Sequence, residues 1–170
     1  MDTGRMFALV AMSLIVAACG PFGPTVTPPA AAACAPQIET GVLPDWARAG
    51  FSEAEPTARH AIGRSGEILG ILFGGTLLSP PNPEISNKIL WVARDPVATP
   101  GLVIAAQRMD GSLPVGDPVE RSVPDGPGPS TVDLPEAGCW RFTLTWDDQT
   151  DTLDLEYEAP PSSAESPAAP

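Results

Sequence analysis

The chain has 170 residues, of which 21 are Asp or Glu and 9 are Lys or Arg, so its formal net charge at pH 7 is −12. This charge repels polyanions at long range, which argues against nucleic acid as a partner. The length suits a single domain once the two unusual ends are subtracted.

The first eighteen residues have the composition of an export signal. Arg5 precedes an apolar run over residues 6–16, and the small residues Ala17 and Ala18 follow it. A basic end, an apolar stretch and a small-residue cleavage region are typical of a secretory signal. An ordinary cleaved signal without lipid, or a single membrane-spanning helix, is the alternative, although the run is short of the ~20 apolar residues that a span needs.

The end of this segment, Val16-Ala17-Ala18-Cys19, resembles the bacterial lipobox. The resemblance implies that residues 1–18 are a lipoprotein signal peptide and that Cys19 becomes the new amino terminus, with a diacylglyceryl group on its sulfur and acyl chains such as palmitate. It also implies a protein anchored by lipid on the extracytoplasmic face of the cell membrane. Two acyl chains anchor a protein stably, at about 0.8 kcal/mol for each buried methylene.

Low-complexity segments flank the expected domain. Residues 19–35 contain the lipidated cysteine and a tether rich in proline and alanine, and residues 159–170 have a similar composition. Such segments cannot bury enough surface to offset the entropy of ordering. We therefore expect a tether that extends by ~3 Å per residue, a disordered tail, and one folded domain over residues 36–158.

The strongest structural signal is the alternation of apolar and polar side chains over residues 138–146. Trp140, Phe142, Leu144 and Trp146 share one face, and Arg141 lies on the other. Since successive side chains of a strand point to opposite faces, this pattern predicts a half-buried β-strand with Trp140 in the core and Arg141 on the wetter face.

The remaining elements also read as strands. Residues 66–78 are nearly continuously apolar, which predicts a strand covered on both sides. Asp110-Gly111 is a hairpin-turn signal, and prolines flank a weak edge strand at residues 119–123. Further strands are expected over residues 87–94, 102–109, 130–134 and 152–157. Trp46 and Phe51 precede the strands and are expected to form a buried aromatic clasp, with an exposed binding patch as the alternative.

Seven or eight short strands with turn residues between them predict an all-β sandwich. Residues 134–142 and 87–92 resemble bacterial extracytoplasmic immunoglobulin-like or fibronectin type III-like domains of small secreted proteins of the actinobacterial type. The resemblance implies a single antiparallel, immunoglobulin-like sandwich of unknown function. In the antibody-type signature a cysteine lies shortly before the core tryptophan and a tyrosine precedes the second cysteine by two residues, whereas here Cys34 lies far before Trp91 and Ala137 occupies the tyrosine position.

Cysteine usage also points outside the cytoplasm. If Cys19 is acylated, Cys34 and Cys139 remain as an even pair in an oxidising compartment, and we expect them to form a disulfide. The alternative is a free buried Cys139 and a disordered Cys34. The wide cysteine spacing and the single histidine do not form a zinc-binding pattern, and we expect no metal site.

No residue set in the sequence specifies a reaction. His60 is expected at a surface or strand edge, and Gly63-Arg64-Ser65-Gly66 is one residue short of a nucleophile elbow. Four carboxylates surround the last hairpin and are expected to be solvated turn acids, with calcium binding as the alternative: Asp147, Asp148, Asp151 and Asp154. We therefore expect no catalytic residues and no cofactor.

The leading hypothesis is a non-enzymatic, membrane-anchored module that binds a protein or glycan of the cell envelope. A rival hypothesis is an envelope-acting hydrolase that uses scattered carboxylates such as Glu67, Asp95 or Asp133. A structural spacer or assembly subunit is the third possibility.

Overall fold

The computed structural model describes residues 32–95 and 101–161. The expected signal peptide, Cys19, most of the tether and the tail from residue 162 lie outside the described residues. Within the described part the only helical element is a single 3-10 turn at Asp45–Ala47. Ten strands make up the rest of the regular structure: β1 Ile38–Val42, β2 Thr57–Ile62, β3 Ile68–Leu72, β4 Leu77–Leu78, β5 Lys88–Ala93, β6 Leu102–Asp110, β7 Leu113–Val123, β8 Pro129–Thr131, β9 Gly138–Trp146 and β10 Gln149–Glu158.

The strands form two five-stranded sheets, as expected of a β-sandwich. Sheet A has the order β1-β2-β3-β5-β8, and sheet B has the order β4-β10-β9-β6-β7. All pairings are antiparallel except that of β4 with β10, which is parallel. The structure thus has ten strands where seven or eight were expected, and one parallel pairing in a sandwich expected to be antiparallel.

Strand β9 lies in the middle of sheet B and confirms the predicted alternation. It pairs with β10 on one side and with β6 on the other. Trp140, Phe142, Leu144 and Trp146 are each at most 2 % exposed. They pack in the core between the sheets, where the Phe142 ring lies 5.9 Å from that of Trp91.

The apolar run at residues 66–78 is two strands instead of the one expected. β3 belongs to sheet A and β4 to sheet B, and the intervening turn carries Gly75 at a φ of 76°. The chain therefore changes sheets at a turn where glycine adopts the left-handed backbone without strain. The edge strand β7 starts at Leu113, earlier than expected, because pairing with β6 tolerates Pro114 and Pro118 on an open edge.

The outer face of sheet A is covered by the chain between β1 and β2. Leu43 and Ala47 are buried there with Leu69 and Ile71 of β3. Trp46 and Phe51 pack against the same cluster but are only partly buried, so the expected buried clasp is met in part. The guanidinium of Arg94 stacks 5.3 Å from the Trp46 ring centroid. Strand β3 in the middle of sheet A is thus buried on both faces, because each face packs against another layer.

Buried polar groups join the two sheets at the β4 end. Asn87, the residue before β5, exchanges two 2.8 Å hydrogen bonds with the backbone of Leu78 in β4. The Tyr157 hydroxyl donates to the carbonyl of Val132 at 2.8 Å. Burial, and then the charge of Asp133, raises the pKa of Tyr157. The hydroxyl therefore remains a neutral donor that fixes β10 against the loop after β8.

Candidate functional site

A short segment before β1, residues 32–35, crosses the outer face of sheet B; we call it the strap. Its Cys34 forms the predicted disulfide with Cys139 of β9, with 6.2 Å between the two Cα atoms. The Cys34 amide donates to the carbonyl of Gly111 in the β6–β7 turn at 2.8 Å. Within the described residues the contacts with the sandwich extend back to Ala32, four residues before the expected start of the domain at residue 36.

Under the strap lies a carboxylate with four donors. The Asp154 side chain is 1 % exposed and receives hydrogen bonds from both Nε and Nη2 of Arg141 at 2.8 and 3.0 Å. Nη2 of Arg64 donates at 2.6 Å, and the Ala35 amide of the strap donates at 2.9 Å. The charge is buried but fully paired, which avoids the large cost of an isolated buried ion.

Arg141 lies opposite Trp140, as the alternation predicted, but it is not a solvated side chain. Only 15 % of its surface is exposed, and its Nη2 also donates to the strap carbonyl of Ala32 at 2.9 Å. The alternation correctly predicted that Arg141 lies on the face opposite Trp140, but it did not predict that the side chain is largely buried there. The difference arises because the strap and a second arginine close over that part of the sheet.

The charges of this cluster shift the pKa of both partners. Burial by itself raises the pKa of Asp154, but the hydrogen bonds from Arg141 and Ala35 and the charges of both arginines outweigh burial and hold the pKa below its usual range. The hydrogen bond to Asp154 raises the pKa of Arg141 against the opposing effect of burial. The pair is therefore ionised at neutral pH.

This shift predicts an acid-dependent loss of stability. Because the folded pKa of Asp154 lies below the unfolded value of about 3.9, its contribution is complete above about pH 4 and is lost as pH falls through the folded pKa. We expect Asp154→Asn to lower the free energy of unfolding at pH 7. The difference in the free energy of unfolding between variant and wild type should become smaller below about pH 4, since a protonated carboxyl resembles the amide. Urea denaturation at several pH values measures this difference, and a difference that does not change with pH would contradict the expectation.

A second buried carboxylate, Asp151, organises the β2–β3 turn. Its oxygens accept hydrogen bonds from the amide and hydroxyl of Ser65 at 2.9 and 2.8 Å and from the amide of Glu67 at 3.1 Å. A Cβ on Gly63 would collide with this carboxylate, so glycine is required there. The Gly63-Arg64-Ser65-Gly66 motif is thus a turn closed around Asp151, and this turn places Arg64 beside Asp154.

The expectation of solvated turn acids is therefore half wrong. Asp147 and Asp148 are exposed, but Asp151 faces the sandwich interior and Asp154 faces the strap. Residues three apart in a strand lie on opposite faces, so the two buried acids cannot share one cation. Among residues 32–95 and 101–161, no three His, Cys, Asp or Glu side chains are placed to hold a metal ion.

A groove opens beside the Arg64–Asp154 pair, between β2 of sheet A and β10 of sheet B. It encloses about 310 Å³, and the core residues Ala61 and Leu153 lie among its lining residues. Ile62 and Gln37 line it as well, together with the alanines of the strap. The Arg64 side chain remains 42 % exposed, so part of its guanidinium faces solvent.

The remaining candidate residues lie elsewhere. His60 is 1 % exposed in β2, which corrects the surface placement, and its ring nitrogens lie 3.1 Å from the Ala58 carbonyl and 3.2 Å from Glu39. Glu67 and Asp95 lie at one end of β5, where the Arg94 amide bonds the Glu67 carbonyl. Asp133 bonds Asn87 at the opposite end, about 17 Å away along the strand.

Comparison of the chain with models of protein families, with curated proteins and with solved structures found no match. Within the residues that the structure describes, no helix is both long and apolar enough to cross a bilayer. The geometry of the described residues is thus the main basis for assigning a function.

Proposed function

We propose that the chain is a membrane-anchored extracytoplasmic lipoprotein whose immunoglobulin-like sandwich is a non-enzymatic binding module of the cell envelope. The observation that carries the proposal is the disulfide between Cys34 and Cys139. Disulfides persist in oxidising compartments and are rare in the cytosol. Cys34 follows Cys19 of the lipobox-like sequence by fifteen residues. An exported, lipidated protein would carry Cys34 and Cys139 into the oxidising compartment in which the disulfide forms.

The immunoglobulin-like assignment has support from the arrangement of the core. Two sheets pack face to face over buried aromatic side chains, and the Trp91 indole donates to the Ser130 hydroxyl at 2.9 Å. The parallel β4–β10 pair and the five-stranded sheets are variations on that architecture. Sandwich domains host many functions, so the binding role rests on the site and not on the fold.

The strap supports a role as an anchored module. A tether that begins at Cys19 meets the domain at residues 32–35 and is covalently joined there to the central strand of sheet B. The membrane is therefore one partner, and an envelope protein or glycan is the other. The net charge of −12 favours a partner other than nucleic acid.

Lipidation at Cys19 has a direct test. We expect Cys19→Ala to accumulate in the soluble extracytoplasmic fraction or as uncleaved precursor, because the export signal remains while the acyl acceptor is lost. Detergent-phase partitioning of cell fractions measures the change. Thr27→Ala, a tether variant that keeps the cysteine, should partition like the wild type. A Cys19→Ala protein that enters the detergent phase as fully as the wild type would show that lipid on this residue is not the anchor.

A further inference from the structure

The groove beside Arg64 lies along the edge of β10 that faces away from β9, where residues 32–95 and 101–161 supply no partner strand at Asp154. The Thr152 carbonyl points away from β9, since it accepts the Arg64 amide at 2.8 Å, and the Glu158 carbonyl accepts the Ser79 amide at 2.9 Å. Strand geometry repeats every two residues, so the peptide groups of Asp154 and Glu156 face the same edge. Among the described residues, β4 pairs with β10 at Tyr157 and Glu158 alone. The edge at Asp154 is therefore open to another strand.

The walls of this groove combine small apolar surface with one cation. Ala61 and Leu153 belong to the hydrophobic core, and Ile62 on the rim is 37 % exposed. Arg64 uses Nη2 for Asp154, and its partly exposed guanidinium has further donors in a planar fork. A planar fork of this kind binds a carboxylate more strongly than a neutral acceptor does.

We propose that the groove binds a short extended peptide of small side chains that ends in a free carboxylate. This names a ligand class for the module and rests on the proposed function in that respect. The ligand backbone pairs with the Asp154 edge of β10, its small side chains contact Ile62 and the exposed alanines of the strap, and its carboxylate meets Arg64. Strand addition to an open edge obtains affinity from main-chain hydrogen bonds, and side-chain pockets add selectivity.

Size and charge select this ligand over others. A volume of about 310 Å³ is at the lower end of the range for ligand sites, which fits a few alanine-sized residues and excludes a folded partner. Asp154 is paired with both Arg64 and Arg141, so these three side chains together keep one net positive charge. The exposed charge at the groove next to the open edge is thus that of Arg64, and it selects an anion.

The test uses the mature, lipid-bearing protein in detergent micelles and two probes, tetra-alanine with a free carboxylate and the same peptide with a terminal amide. We expect tetra-alanine to shift the backbone NMR signals of Leu153, Asp154 and Glu156 at millimolar concentration. The amide form should bind about tenfold more weakly, since it replaces a charge-assisted pair by a neutral contact. Equal binding of the two probes, or shifts that map to another surface, would overturn the proposal.

A matched pair of arginine variants locates the carboxylate. Arg64→Gln should reduce the affinity for tetra-alanine to that of the amide, while Arg121→Gln on the far edge strand β7 should leave both affinities unchanged. If Arg64→Gln does not fold, the comparison of the two probes on the wild-type protein still decides. Cell fractionation of Cys19→Ala tests the anchoring separately, so failure of peptide binding and failure of lipidation give different results.

Discussion

Trp140→Ala is expected to lower the free energy of unfolding by about 3–5 kcal/mol, the range for removing a large buried aromatic side chain. The indole is 2 % exposed and lies in the core between the sheets. Its Nε1–H donates to the Glu136 carbonyl at 3.0 Å, a bond that the variant also loses. Since domains are stable by only about 5–15 kcal/mol, this loss is a large share of the total, and a domain near the lower limit would have a substantial unfolded population.

Thr143→Ala is the matched control, because Thr143 lies on the same strand with its side chain on the opposite face. We expect its cost to stay within about 0.5 kcal/mol. Far-ultraviolet circular dichroism in urea is the suitable measurement, since the chain has four tryptophans and fluorescence would change with the mutation itself. Equal and small effects of the two variants would mean that Trp140 contributes little to the core.

Removing the disulfide is expected to have a comparable effect. Cys34 and Cys139 are separated by 105 residues in sequence. The chain-entropy model assigns about 4.7 kcal/mol to a cross-link that closes a loop of about this length, because the bond restricts the unfolded chain. The double variant Cys34→Ser/Cys139→Ser should therefore unfold at a lower urea concentration. Its dependence on urea should be steeper, because the unfolded chain without the bond exposes more surface.

Reductant provides the internal control for this variant. Treatment with a thiol reductant should lower the unfolding midpoint of the wild type towards that of the double serine variant and leave the variant itself unchanged. The hydrogen bonds of the strap to Gly111 and Asp154 use backbone amides that neither treatment removes, so we expect the folded state to persist. A wild type with an unchanged midpoint after complete reduction would show that the bond does not stabilise the domain.

Local patterns in the sequence predicted much of the sandwich. Strand β9 follows from alternation over nine residues, because a period of two is incompatible with a helix. The β6–β7 hairpin follows from Asp110-Gly111, where Gly111 has a φ of 57°. Strands β1 and β2 were missed, because apolar and polar residues do not alternate in them and both contain charged residues such as Glu39 and Arg59.

Continuous apolar runs are harder to interpret. Residues 68–72 and 77–78 are buried throughout, so periodicity contains no information on where one strand ends and the next begins. The turn between them moves the chain from one sheet to the other, and the pairing partners of each strand decide that position. The sequence therefore predicted that this stretch is buried but not that it crosses the sandwich.

The pairing of Cys34 with Cys139 could be predicted from the sequence alone, because it follows from the number of cysteines. The face of Arg141 could be predicted in the same way, because it follows from the period of the strand. Burial of Asp151 and Asp154 was decided by the tertiary structure. In sequence both resemble hairpin acids, yet two of the four donors to Asp154 come from Arg64, 90 residues away, and from the strap, 119 residues away. The groove depends on the same contacts, because Arg64, the alanines of the strap and the open edge of β10 meet only when the two sheets pack. A local sequence pattern contains the chemistry of each of these groups but not the distances between them.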